Sequence, residues 1–588
     1  MRATTAQLMV RTLADAGVEV VAGIPGHTTF ALADAIRDEP RIRPLLVRHE
    51  SIGAFAADVY YRVSGKIMAV FAHTFAGTAN LVTGVGTAFA DSSAMLVISG
   101  EEARSTLGRG AYQELSRSMD GDVAQLMRHV TKRAWQCHTP TQIVEQTVRA
   151  LRTATVGRPG PVSLHVFYEL WDEQADVPDW PDLTGFLPAV NTSRPSAYEL
   201  DRAVAALTSA RCPLIVAGNG VNLGRAQAQL LALAEATGIP VATTATGKGA
   251  FPENHSQSVG VLGWVGTAVA NRTAQQADVV LSIGGRMTEV STSSWQPNGA
   301  FDPRTTVLIQ SDIEPVEIGN VFPVGAGLIG DAASVLSDLT DALDGWSAPR
   351  DWQDEVGRRR AEWAQVVLES LSRSGEPLPV GPVLSALREQ TLSQPLNIVC
   401  DVGKHHKWIV QQFPVHTGDM VISSMGAGTM GIGPCGAVGA ALGRPEARTI
   451  AWVGDGGMSM SLPVLPTAAE HNLPVLFVVI DDGAYGAVVN SQLSRFGRTS
   501  FSEFNGGGTR DDYTLDLARV AESCGVPARR VDNVDDCKSA MEWGLSQDGP
   551  ALIDVVVDRS SSAPSGGGFK LSDFSEHPVF PWVGVPSR

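Results

Sequence analysis

The stretch Arg448–Gly486, RTIAWVGDGGMSMSLPVLPTAAEHNLPVLFVVIDDGAYG, contains two apolar runs of strand length. Each run stops abruptly at aspartate and glycine, the first at Gly454-Asp455-Gly456-Gly457 and the second at Asp481-Asp482-Gly483-Ala484. Fully apolar runs separated by a helical segment are expected of neighbouring strands in a buried parallel sheet. Both runs then end at the carboxyl edge, where open α/β sheets bind ligands. Asp455 and Asp482 can converge there on one hard cation, and the flanking glycines let backbone N–H groups meet phosphate oxygens. A diphosphate carried on a divalent metal suits such an edge, although a GDG tripeptide by itself is usually no more than a turn.

Outward from this stretch the same alternation fills the chain. Before it come VEVVAGIPG, RPLLVRH, KIMAVFAHT and AMLVISG, then PLIVAGNG, IPVATTATG, ADVVLSIGG and TTVLIQSD, then NIVCDVG; after it comes PALIDVVVD. Helical patterns separate these runs, so the expected architecture is α/β, with three doubly wound parallel-sheet domains. The expected limits are 1–170 for the first domain, 171–197 for a Pro-, Asp- and Ser-rich linker and 198–345 for a central Rossmann-like domain. A charged linker helix over 346–377, a third domain over 378–560 and a tail over 561–588 follow. SSSAPSGGG in the tail is low in complexity and expected to be mobile, whereas FPWVGVPSR is apolar enough to dock.

A length of 588 residues exceeds one core, and 44% hydrophobic content excludes general disorder. The formal charge of −17, without a basic stripe, argues against nucleic acid as a partner. Six cysteines without a CxxC pair fit a reducing compartment. No apolar run approaches membrane-spanning length and the N-terminus reads as an amphipathic helix, so a cytoplasmic protein without a membrane partner is expected. The 60 glycines pose the question of where they cluster.

The GDG, followed after 24 residues by the pair Asp481-Asp482, resembles the binding motif of the thiamine diphosphate (ThDP) enzymes. That family normally closes the motif with Asn, where this chain has Asp482. The resemblance implies that Asp455, Asp482 and the carbonyl of Ala484 hold Mg²⁺, with Gly454, Gly456 and Gly457 against the diphosphate. Lys404 and His405 in DVGKHHKW would meet diphosphate oxygens. In SSMGAGTMGIGP, Gly428 would receive the aminopyrimidine and Met430 would wedge the cofactor into a bent shape. Tyr485, in GAYGAVVNS, would complete the cofactor-binding set. In LLVRHESIGAF, Glu50 matches the glutamate that activates the family's cofactor at N1′; without the distant GDG it would read as a carboxylate favoured by a helix N-terminus. Glu50 and Asp455 lie about 400 residues apart in the expected order. The family places its active site between the first domain of one subunit and the third of another, which implies a homodimer or homotetramer.

The middle stretch TGKGAFPENHSQSVGVLGWVG resembles acetolactate synthases. His27, after GIPG, and His73, opening HTFAGTAN, instead resemble benzoylformate decarboxylase-like enzymes, where such histidines exchange protons. Gln113, in AYQEL, matches a glutamine of the synthases, whose acceptor-site tryptophan is replaced here by Ser491. Arg286 keeps one arginine of the synthase pattern while Val290 stands where a second would lie against flavin, so FAD and a flavin-free nucleotide-like domain both stay open. The resemblance implies a ThDP- and Mg²⁺-dependent enzyme acting on a small 2-oxo acid, by decarboxylation, carboligation of the resulting acyl carbanion, or both. Alternatives are an acetolactate synthase-type transferase proper, cleavage of a 2-hydroxyketone or cyclic diketone, and a non-catalytic nucleotide- or partner-binding relative.

Overall fold

The computed structural model describes residues 2–566 apart from 116, 118–121, 177–179, 181, 184, 187–192, 296–298, 303, 392–393 and 505–513. The FPWVGVPSR segment, read above as able to dock, lies outside the described residues.

Three six-stranded sheets, each parallel throughout, follow one another along the chain. In the first the spatial order is Arg43–Leu46, Val20–Gly23, Ala69–His73, Leu96–Glu101, Val162–Phe167, Arg133–Cys137. In the third it is Met420–Ser423, Leu396–Cys400, Arg448–Gly454, Val475–Asp481, Ala551–Val556, Ala528–Val531. Both run second, first, third, fourth, sixth, fifth. The central sheet, from Ser258–Val261 to Ala326–Ile329, runs third, second, first, fourth, fifth, sixth. In each sheet the direction of winding reverses beside the first strand, and a crevice opens there at the carboxyl edge. The three reversal points lie between Val20–Gly23 and Ala69–His73, between Pro213–Ala217 and Val279–Ile283, and between Leu396–Cys400 and Arg448–Gly454.

The first and third domains share a core. Helix Glu50–Ser64 lies along helix Ile432–Gly443, and Phe55, Val59 and Val63 join Cys435, Val438 and Ala441 in one buried cluster. Gly436, Gly439 and Gly443 make the close approach feasible: a Cβ on Gly439 would lie 1.9 Å from the Ala56 carbonyl oxygen. A buried ion triad ties the same junction. Arg62 donates to Asp58 at 2.8 Å, to Asp91 at 3.1 Å and to the Ser423 carbonyl at 3.0 Å.

The stretch read as a linker from residue 171 begins inside the first domain. Trp171 is buried in that core, and Gln174–Asp176 pairs antiparallel with Arg2–Thr4. The composition of this stretch suggested a linker, but a single buried tryptophan and a three-residue edge pairing anchor its start.

Candidate functional site

Strand Arg448–Gly454 runs directly into helix Asp455–Met460, so Asp455 opens a helix at the reversal point of the third sheet. Lys404, His405, Met430, Gly454, Asp455, Gly456, Gly457, Asp482, Ala484 and Tyr485 line one cavity there. Gly428, with φ of 63°, is not among its lining residues.

The glycines of this wall give way to side chains that occupy the space of a Cβ. On Gly457 a Cβ would fall 1.9 Å from Asp401 Oδ2, and on Gly456 it would fall 2.7 Å from the Tyr485 ring. Asp401 follows strand Leu396–Cys400 and accepts N–H donors from Gly431 at 2.8 Å and Gly433 at 3.2 Å, fixing the start of helix Ile432–Gly443. Sequence reasoning passed over Asp401, although DVG after an apolar run carries the same strand-end signature as GDG.

Charge is unevenly compensated in the cavity. Burial, then Asp481 and Asp482, push the Asp455 carboxyl well above the ordinary carboxylate range. Its Oδ2 is buried without a hydrogen-bond partner. Burial also raises Asp482, against the pull of Lys404 and Arg559. Two crowded carboxylates in a cavity that Ala484 also lines have the chemistry of a magnesium site, since Mg²⁺ takes few protein oxygens and leaves positions for phosphate and water. Among the described residues no group of three or more His, Cys, Asp or Glu side chains forms a metal cage. Lys404 donates its ammonium to the Arg559 carbonyl, and burial lowers its pKa. His405 is driven down to about 3 by burial and His406, so its ring is neutral, and its Nε2 is buried without a partner. An ammonium beside crowded carboxylates suits a metal-bound diphosphate.

A second group stands at the first sheet's carboxyl edge, where four neighbouring strands lead into Glu50, His27, His73 and Glu102. Glu50 accepts from Asn80 Nδ2 at 3.0 Å, and a Cβ on Gly77 would approach its Oε1 to 3.0 Å. The His27 and His73 rings meet edge-on with centroids 4.6 Å apart. His73 Nδ1 lies 2.7 Å from Thr28 Oγ1 and its Nε2 lies 2.5 Å from Gln113 Oε1. Burial lowers the His73 pKa, with Gln113 pulling the other way. His27 Nε2 lies 3.1 Å from Glu102, a residue that sequence reasoning missed.

The two groups are built from separate sheets of the chain. Helix Thr74–Ala90 carries Asn80 against Glu50 and Thr87 against Thr429, the latter at 2.8 Å. Seven residues of helix, roughly 10 Å along its axis, separate these contacts. None of the third-domain cavity's lining comes from the first domain.

Residues 3–120, 200–339 and 401–555 match the models of the N-terminal TPP binding domain, the central domain and the C-terminal TPP binding domain of thiamine pyrophosphate enzymes. The chain is 32% identical over 575 residues to a probable acetolactate synthase large subunit of Methanococcus aeolicus, covering 95% of this chain and 92% of the relative. The chain belongs to the thiamine pyrophosphate enzyme family. It is 31% identical to the acetolactate synthase large subunit of Corynebacterium glutamicum, over 95% of this chain and 88% of that protein. With the acetolactate synthase isozyme 3 large subunit of Escherichia coli it shares 29% identity, over 94% and 95%.

As a thiamine pyrophosphate enzyme, with that name and thiamine diphosphate denoting one cofactor, the chain has its two TPP binding domains in the sheets that carry the two groups above. The central domain has its own cavity at its reversal point, with Gly220, Gly284, Arg286 and Asp312 on its walls and Arg158 reaching in from the first domain. Val290 does not line this cavity; its carbonyl accepts the Trp264 N–H at 2.9 Å. Among the described residues no helix is long and apolar enough to cross a membrane.

Proposed function

We propose that this thiamine diphosphate enzyme uses Mg²⁺, removes CO₂ from a small 2-oxo acid and joins the remaining acyl unit to a second carbonyl compound, in the manner of acetolactate synthase. The observation that carries the reading is the pairing of a carboxylate-and-glycine cavity in the third domain with Glu50 and two histidines at the same edge of the first. The extent of the match to acetolactate synthase large subunits supports the carboligating outcome. When bound, the cofactor supplies the electron sink for loss of CO₂.

The chain's own residues have divided tasks. Asp455, Asp482 and the Ala484 carbonyl would hold Mg²⁺, while Lys404, His405, Gly456 and Gly457 bind the diphosphate. Gly428 and Met430 would seat the aminopyrimidine, and Tyr485 walls the diphosphate side. Glu50 would hold a proton at the pyrimidine N1′. His27 and His73, with Gln113, handle protons at the reacting carbon and oxygen. That the third-domain cavity draws no lining from the first domain supports a homodimer or larger homo-oligomer in which one chain's first domain faces the third domain of its partner.

A second reading, simple decarboxylation with proton capture, is favoured by the His27–His73 pair. The test is incubation with thiamine diphosphate, Mg²⁺ and pyruvate, benzoylformate or branched 2-oxo acids, with and without an aldehyde, followed by mass spectrometry. Acetohydroxy acid or hydroxyketone is expected; aldehyde alone selects the second reading. Unchanged turnover in Glu50→Gln would overturn both. Arg158 and Arg286 give the central cavity the chemistry of a nucleotide diphosphate site; FAD is assigned no step, and absorption in the flavin bands of the purified protein decides whether it is bound.

A further inference from the structure

Strand Leu96–Glu101 leads into two consecutive carboxylates with different neighbours. Glu101 turns into the sheet, where it lies 3.1 Å from His165 Nδ1 and accepts from Gln136 Nε2 at 3.0 Å. Glu102 faces the crevice side and meets His27 Nε2 at 3.1 and 3.4 Å, with its own side chain 9% exposed. Among the described residues His27 is the one side chain hydrogen-bonded to it.

Donor and acceptor rules then separate the two histidines. An amide oxygen only accepts, so His73 Nε2 carries the hydrogen shared with Gln113, and its Nδ1 accepts from the Thr28 hydroxyl. Both His73 nitrogens are engaged. A carboxylate likewise only accepts, so His27 Nε2 carries the hydrogen shared with Glu102. His27 Nδ1 has no hydrogen-bond partner among the described residues, and the side chain is 38% exposed beside the Tyr112 and Tyr168 rings, whose centroids lie 6.3 and 6.1 Å from its own.

We propose that Glu102 is a positioning residue that holds His27 in its Nε2–H form, making His27 Nδ1 the nitrogen through which His27 exchanges a proton with substrate. The inference deepens the function proposed above and rests on it. When protonated His27 gives up its Nδ1 proton to the substrate-derived oxygen or carbon, the ring returns to the neutral Nε2–H tautomer. Its bond to Glu102 stays intact, and water resupplies the Nδ1 proton. A carboxylate that fixes the tautomer and orientation of an acid–base histidine acts through that histidine and touches no substrate.

The test begins with nitrogen NMR of histidine-labelled protein without cofactor, the His27 signals being assigned by their loss in His27→Gln. In the native chain His27 is expected as the Nε2–H tautomer; an Nδ1–H tautomer overturns the proposal without any Glu102 variant. Glu102→Leu removes the acceptor at similar volume. It is expected to give mixed tautomers and to lower kcat ~10–100-fold, part of the ~10²–10⁴ attributable to general acid–base catalysis, with KM and thiamine diphosphate affinity within about threefold. Glu102→Gln, whose amide oxygen still accepts from Nε2, should recover most of that loss. In a His27→Gln background Glu102→Leu should add nothing. Equal losses in both backgrounds, or a leucine variant with native tautomer and rate, overturn the proposal. Deuterium exchange at the bound cofactor's C2 keeps this separate from the function itself: it depends on Glu50 and is indifferent to Glu102, so unchanged exchange in Glu50→Gln refutes the underlying reading alone.

Discussion

Gly439→Ala tests the helix contact on which the shared core of the first and third domains depends. The new Cβ would sit 1.9 Å from the Ala56 carbonyl oxygen and 2.6 Å from its carbon, both backbone atoms that cannot rotate away. A carbon–oxygen contact needs about 3.3 Å, so helices Glu50–Ser64 and Ile432–Gly443 must part by roughly 1.4 Å. A gap of about 0.5–1 Å already forfeits a quarter to a half of each dispersion well. Every pair across the seam would feel it, including Val59 against Gly436 and Val63 against Gly443. Overpacking of this kind costs about 1–3 kcal/mol, and a backbone contact belongs at the upper end. Alanine's better helix propensity returns only about 1 kcal/mol, leaving a net loss of about 2 kcal/mol. Gly357→Ala is the matched control: Gly357 lies in helix Arg350–Leu371 with no atom within 4 Å of an added Cβ. Thermal denaturation followed by circular dichroism should place Gly439→Ala below the native chain and Gly357→Ala level with it or slightly above. If Gly439→Ala melts with Gly357→Ala, the two helices do not approach as described.

Three further outcomes follow from other parts of the molecule. Arg62→Met leaves Asp58 and Asp91 buried without their cation. It should destabilise by about 3–5 kcal/mol, read as a lower denaturation midpoint; adding Asp58→Asn to Arg62→Met should restore part of it. Gly457→Ala drives a methyl into Asp401 and should abolish thiamine diphosphate binding in calorimetry while leaving the central domain folded; native affinity would contradict the cavity's geometry. The third concerns pH. With Asp455 and Asp482 raised above the ordinary carboxylate range, the metal-free site retains protons that an entering cation must displace. Stability linked to those protons is present below about pH 4 and is lost as pH rises through the raised pKa values. Mg²⁺ should therefore stabilise progressively more between pH 5 and 8, about tenfold in affinity per pH unit for each proton released. A Mg²⁺-induced melting shift that shrinks with rising pH would contradict this.

Much of this architecture is readable in the chain itself, because a parallel sheet announces its carboxyl edge. Apolar runs ending in GDGG, DDGA, GIPGH and AHT place Asp455, Asp482, His27 and His73 at strand ends, and parallel pairing brings those ends to common edges. What resisted reading depends on neighbours remote in sequence. IGPCGAVGAALG reads as a helix, but nothing in it says that Gly439 faces Ala56 nearly four hundred residues earlier. Of the adjacent Glu101 and Glu102, only the sheet decides which one meets His27. Trp171 looked like linker because its surroundings are rich in Pro and Asp, and one large side chain outweighed that composition.

A third-domain cavity with no first-domain residue in its lining carries a consequence for mixtures of chains. In the proposed dimer each catalytic centre borrows its first-domain half from one subunit and its third-domain half from the other. Chains with Glu50→Gln and chains with Asp455→Asn are then each inert, yet a mixed dimer contains one centre with neither lesion and one with both. Unfolded together and refolded in equal amounts, two inactive preparations should produce about a quarter of native turnover, the share set by random pairing in a twofold assembly.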